Sequence, residues 1–244
     1  MGRACGAKTD VGLKRSQNED SLYADHELGL YVVCDGLGGH NAGEVASRLA
    51  VEVIQKHMWE AHGNATLPLI GEYERAFSLH TNRLASAIRL ANQVIYSAAK
   101  SQPAQEGMGT TVVSAALNGS RLSVAHVGDS RLYLVREQTI RSLTTDHTVV
   151  KEQVLLTRAL GIEESVEVDL DERWLARGDV LLLCSDGLTR GVRPPEILDT
   201  ICRACEPQAA CERLVELANA AGGEDNTTVV LITTQDEWQP PKTN

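Results

Sequence analysis

Two apolar runs in this chain end on an acid next to glycine. Residues 30–40, LYVVCDGLGGH, carry Leu30 to Cys34 straight into Asp35-Gly36, with His40 just beyond. Residues 180–188, VLLLCSDGL, carry Val180 to Cys184 through Ser185 into Asp186-Gly187. A short apolar run bounded by turn residues reads as a buried strand. One such strand ending on a carboxylate could be an ordinary turn; two need a better reason.

The chain can build the core such strands require. Its 244 residues are 43% hydrophobic, enough for one large domain or two small ones. No Pro-, Gly- or Ser-rich linker, low-complexity tract or solenoid repeat divides it. A single domain over 1–236 with a short tail at 237–244 is expected.

Charge narrows the partners. Lys plus Arg number 23 against 33 Asp plus Glu, a formal net charge of −10. That field opposes nonspecific nucleic-acid binding, which depends on neutralising phosphates. An anionic substrate needs local cations or arginines. The first ten residues lack the apolar core of a secretion signal, and no run approaches bilayer length. A cytoplasmic protein with no membrane insertion and six reduced cysteines is the expectation. Cys202, Cys205 and Cys211 include a C-x-x-C, but no histidine lies near, and helix packing is the better reading.

Segments 3–10 and 20–35 read as strands, the latter broken by a turn at 25–29. Helical stripes cover AGEVASRLAVEVIQKHM and residues 72–100. β-rich segments return from TTVVSAAL to TIRSL, with strands near 165–170 and 179–185. Helices fit 194–205 and 207–221, and GGEDNTTVVLITT closes with a turn and a strand. Short turns between successive strands favour antiparallel sheets with helices outside, an α+β layered domain.

Five places put a carboxylate beside a turn at the edge of an apolar segment: NED (18–20), CDG (34–36), VGDSR (127–131), CSDG (184–187) and EDN (224–226). Two carboxylates about 4 Å apart repel by ~4 kcal/mol at an effective dielectric near 20. A convergent cluster would not stay ionised without hard divalent cations, which prefer such oxygen ligands. Two cations can acidify a bridging water and bind phosphoryl oxygens. Arg15, in RSQNED, lies next to one of these acids and has the fork that suits phosphate.

The ordered motifs DVGLKRSQNEDS, VVCDGLGGHNAGEVAS, GMGTTVV, VAHVGDSRLYL, TTDH, TRALG, LLLCSDGL and EDNTTVVLI span residues 10–232. Together they resemble the metal-dependent Ser/Thr protein phosphatases of type 2C in their short bacterial form. The resemblance implies a four-layer α-β-β-α sandwich of two antiparallel sheets flanked by helices. It implies hydrolysis of protein phosphoserine and phosphothreonine by a metal-activated water at a binuclear Mn²⁺ or Mg²⁺ centre, with a weaker third ion.

Carried onto this sequence, Asp35 bridges both metals and the Gly36 carbonyl binds one. Asp186 and Asp225 bind the second, with Asp20 or Glu19 completing its shell directly or through water. Asp129 binds the third ion together with Asp186, and Arg15 holds the substrate phosphate. His40 is the candidate proton donor to the leaving oxygen, with turn stabilisation as its alternative role. Asn226, Thr227 and Asp146-His147 read as structural supports. Expected partners are phosphorylated proteins, among them Ser/Thr kinases and their substrates, and the chain is expected to be a monomer.

One departure stands out: only residues 148–156 separate TTDH from TRALG, a shortened flap. In the family this flap lies beside the active site and contributes to substrate choice and third-ion behaviour, so the shortening bears on both. Two rival functions stay open. Cys184 to Arg190, CSDGLTR, fits the C-x5-R pattern of cysteine phosphatases. A catalytically inactive phosphoprotein-binding module of the same fold is the other. A Ca²⁺-binding structural protein lacks its usual acidic loop.

Overall fold

The computed structural model describes residues 4–38, 42–64, 66–150 and 154–234. The 237–244 tail expected from sequence lies outside these. The first half contains β1 (Cys5–Asp10), β2 (Asp20–Asp25), β3 (Leu30–Leu37), α1 (Ala42–Gly63), α2 (Leu79–Ser101), β4 (Gly109–Thr110), β5 (Val112–Asn118) and β6 (Arg121–Val127). The second half adds β7 (Arg131–Arg136), β8 (Thr139–Ser142), β9 (Thr148–Val150), β10 (Val154–Leu156), β11 (Asp169–Trp174) and β12 (Val180–Cys184). It ends with α3 (Asp186–Gly191), α4 (Pro194–Arg203), α5 (Pro207–Ala220) and β13 (Thr227–Thr233).

The strands form two antiparallel sheets. One has the order β11-β6-β5-β3-β2, with β4 added to β3; the other has the order β1-β13-β12-β7-β8. A small β9–β10 hairpin stands apart at the shortened flap.

Side-chain alternation explains why so many strands are apolar throughout. In β3, Leu30, Val32 and Cys34 join the cluster under α1 and α2, while Tyr31 and Val33 face the gap between the sheets. In β12, Leu181 and Leu183 face the same gap, and Val180, Leu182 and Cys184 pack under α3–α5. β13 repeats the pattern with Val230 and Ile232 inward and Val229 and Leu231 outward. Three apolar layers thus separate four structural ones, the α-β-β-α sandwich that the motifs imply. Each fully buried Val, Leu or Ile contributes about 1.5–3 kcal/mol.

Local chemistry sets the helix limits. The stripe from residue 72 predicts a longer helix than forms: α2 starts at Leu79 because Ser78 caps it, accepting from the Thr81 N–H. The expected strand near 165–170 lies at 169–174, where it pairs with β6. The short α3 was not expected; it begins directly on Asp186. Pro194 and Pro207 occupy the first positions of α4 and α5, where a missing N–H costs nothing.

Candidate metal centre

The acid-bearing turns meet at one edge of the sandwich. A cleft of about 640 Å³ is lined by Glu19, Asp35, Asp129, Asp186 and Asp225, with Arg15 and Arg190 beside them. Gly36 also lines it. Asp20 lies just beneath, almost fully buried, opposite Asp35 in the β2–β3 ladder.

Backbone contacts hold Asp35 and Asp186 in place. The Asp35 carbonyl accepts from the Thr111 N–H at 2.8 Å and the Thr110 hydroxyl at 2.8 Å, while its N–H donates to Thr111 Oγ1 at 3.1 Å. This is the work of the GMGTT motif. Asp186 opens α3, and Gly187 lets the backbone of the Asp225 turn approach: a Cβ there would meet the Asn226 carbonyl oxygen at 2.0 Å. Gly36 plays the same part against the start of α1, where a Cβ would lie 2.3 Å from the Gly43 oxygen. The glycines beside the two acids therefore serve close packing of neighbouring chain.

Asn226 ties the N-terminal acids to the C-terminal ones. Its Oδ1 accepts from the Glu19 N–H at 2.8 Å, and its Nδ2 donates to the Val11 and Gln17 carbonyls, both at 2.9 Å. Ser185 does the same one layer deeper. Its hydroxyl donates to Asp20 Oδ2 at 2.8 Å and accepts from the Thr228 N–H at 2.9 Å.

The electrostatics of this edge are unfavourable to anions. Burial, then the charges of Asp20, Asp186, Asp225 and Asp129, pushes the Asp35 carboxyl well above the usual range. Burial raises Asp20 to about 7 and, with Asp186 next, Asp129 to about 6. Glu19 is raised chiefly by burial, with Arg15 opposing. Two oxygens, Asp20 Oδ1 and Asp186 Oδ1, are buried without a hydrogen-bond partner. Crowded carboxylates with orphaned oxygens are the donor set a hard divalent cation requires, and the residues fit such ions.

Arginines supply positive charge within the same cluster. Arg15 forks onto Asp225, Nε to Oδ1 at 2.9 Å and Nη2 to Oδ2 at 2.9 Å. Arg190 reaches Asp186 and Asp225 from α3; from sequence it stood out only as the end of the C-x5-R pattern. That pattern carries no cysteine chemistry here. Cys184 is fully buried in the core under α3–α5, and burial pushes its thiol up to about 12, whereas an attacking thiolate needs a lowered value and access.

The tightest grouping of metal-type ligands among the described residues lies elsewhere: His126, His147 and Asp169, within 4.8 Å of one another. A guanidinium holds two of its three members. Arg158 Nη1 lies 2.6 Å from Asp169 Oδ1 and 3.3 Å from His147 Nε2. The His147 ring also accepts from the Gly128 N–H at 3.1 Å, and the His147 backbone N–H donates to the Gly128 carbonyl at 3.0 Å. His147 thus props the turn that presents Asp129, and Asp146 is clamped by Arg131 at 2.9 and 2.6 Å. Both act as the structural supports expected. His40 lies outside the described residues.

Fold and site together define a phosphatase-type scaffold with an acidic metal cleft, and the comparisons agree. The family model for protein phosphatase 2C matches residues 14–219. The chain belongs to the protein phosphatase 2C family. It is 37% identical to the serine/threonine protein phosphatase PstP of Mycobacterium tuberculosis over 247 residues, covering 94% of this chain but 45% of that protein. It is 36% identical to the serine/threonine phosphatase Stp of Listeria welshimeri, covering 92% of this chain and 93% of the relative. The crystal structure of the PstP catalytic domain in complex with two manganese ions superposes with a TM-score of 0.77 at 36% identity, covering 95% of this chain and 97% of that one.

Proposed function

We propose that this protein removes phosphate from phosphoserine and phosphothreonine on proteins at a two-cation centre of Mn²⁺ or Mg²⁺. The observation that carries the reading is the convergence of Glu19, Asp35, Asp129, Asp186 and Asp225 on one open cleft that also holds Arg15. The manganese-bound PstP domain and the phosphatase relatives support it.

Asp35 and the Gly36 carbonyl would hold the first cation. Asp35, Asp186, Asp225 and either Asp20 or Glu19 would hold the second, and Asp129 with Asp186 a weaker third. When bound, such cations neutralise the carboxylates, acidify a bridging water and draw charge from phosphoryl oxygens.

The protein's own groups do the rest. Arg15 is about half exposed, with its side chain 51% accessible, and its fork already matches a pair of carboxylate oxygens. A phosphate presents the same paired oxygens with more charge, so the guanidinium is suited to grip and orient it. Thr110 and Thr111 keep Asp35 from shifting during turnover. His40 is the candidate proton donor to the departing Ser or Thr oxygen. The cleft is open to solvent, as entry of a protein side chain requires.

Residues 1–236 are read as one catalytic domain acting as a monomer in the cytoplasm, with phosphorylated proteins, including Ser/Thr kinases and their targets, as substrates. Among the described residues no helix is long and apolar enough to cross a membrane. The test is phosphate release from a phosphothreonine peptide. Turnover should depend on Mn²⁺ or Mg²⁺ and stop in EDTA. Peptide binding without turnover would instead favour the inactive phosphoprotein-binding module.

A further inference from the structure

Arg190 lies one helical turn after Asp186 on α3, with its guanidinium lining the cleft. Its Nε is 2.9 Å from Asp186 Oδ2, Nη2 bonds the same oxygen, and Nη1 is 3.5 Å from Asp225 Oδ2. Two acids that are distant in sequence thus share one guanidinium. Arg15 contacts only the Asp225 member of that pair.

Resting on the two-cation reading above, we propose that Arg190 is a tethered cation that competes with the second divalent ion for Asp186 and Asp225. In this way it sets the metal concentration at which the centre fills. A guanidinium does not lose its charge at working pH, so it cannot step aside by deprotonation; it has to move. It has room to do so, since its side chain is 55% accessible. Even when turned outward it stays on α3, within reach of the same acids. A fixed positive charge near an incoming cation lowers that cation's affinity. The i, i+4 spacing holds the competitor at high local concentration however dilute the protein is.

A purely structural role makes the opposite prediction. If Arg190 only props Asp186 in a ligating position, removing it weakens metal binding. If it competes, removing it tightens metal binding.

The experiment is titration of the full chain with Mn²⁺, read by calorimetry and by loss of the free-ion EPR signal. It compares wild type, Arg190→Gln, Arg190→Lys and, as the site control, Asp186→Asn. Arg190→Gln should tighten the weaker of the two strong Mn²⁺ sites by roughly tenfold, equivalent to about 1.4 kcal/mol. Arg190→Lys, which keeps the charge, should stay close to wild type. Unchanged or weaker Mn²⁺ binding in Arg190→Gln overturns the proposal, as does equal tightening in Arg190→Lys. A wild-type protein that binds no Mn²⁺ sinks the two-cation reading itself. Circular dichroism of the variants shows that a changed affinity comes from a folded protein.

Discussion

Asp20 and Asp35 stand directly opposite one another on the β2–β3 ladder, two carboxylates on one rung. Like charges at that spacing, with Cβ atoms about 4.5–5.5 Å apart, destabilise a sheet. Here the Ser185 hydroxyl holds one oxygen of Asp20, while its other oxygen has no partner. The ladder carries this strain at the edge where the remaining acids gather, so the arrangement serves binding rather than stability.

Replacing a central acid should separate activity from folding. Asp35→Asn and Asp186→Asn are each expected to lower kcat on the order of a thousandfold or more at saturating Mn²⁺, since loss of a mere supporting partner already costs about 10–100-fold. Circular dichroism should be unchanged. In EDTA, Asp35→Asn should melt above wild type, because one member of the repelling cluster is gone. Wild-type rates in either variant would mean that the acids are misassigned.

Arg15→Ala should act on substrate binding. Hydrogen bonds to charged groups contribute about 1.5–3 kcal/mol, so KM for a phosphopeptide should rise about ten- to a hundredfold with a smaller change in kcat. A variant that loses kcat at constant KM would place Arg15 in the chemical step instead.

Stability should respond to pH in the sense opposite to ordinary acid denaturation. Asp20, raised to about 7, and Asp129, raised to about 6, bind protons more tightly when folded than when unfolded. The folded chain therefore holds more protons between about pH 4 and 7, and this contribution to stability is lost as pH rises through that window. In EDTA, the melting temperature should fall from pH 5.5 to 8. Across the same range Mn²⁺ affinity should rise as the ligands ionise. A melting temperature in EDTA that does not fall between pH 5.5 and 8 would show that these carboxyls are not perturbed.

Asn226→Ala removes three hydrogen bonds in one change. A loss of about 1–3 kcal/mol in urea unfolding is expected, because the partly buried backbone groups of Glu19 and Val11, and the carbonyl of Gln17, lose their partner. Mn²⁺ binding should weaken as well, as the N-terminal acids are no longer held against Asp225. A purely local turn residue would leave metal binding untouched.

Much of this was legible from residue order. The runs LYVVCDG and VLLLCSDG gave strands that end in acids, and the eight motifs pointed to the family and its layered fold. Asn226 and Asp146-His147 read as supports from the sequence. Other features were hidden. Arg190 looked like part of a cysteine signature because C-x5-R describes spacing along the chain. Burial of Cys184 and the direction of α3 are properties of packing. The cap at Ser78 outweighed a helical stripe beginning six residues earlier, since the apolar periodicity says nothing about where a backbone N–H finds its acceptor.

The sequence alone determined which residues could be strands, which side chains could ligate a hard cation, and the order in which they occur, because these depend on local periodicity and donor chemistry. Only the tertiary structure decided that Asp20 shares a rung with Asp35, that Asp186 and Asp225 share a guanidinium, and that Arg158 takes up His147 and Asp169. Those relations join residues far apart in the chain. They exist only once two sheets stack and bring distant strand ends to one edge.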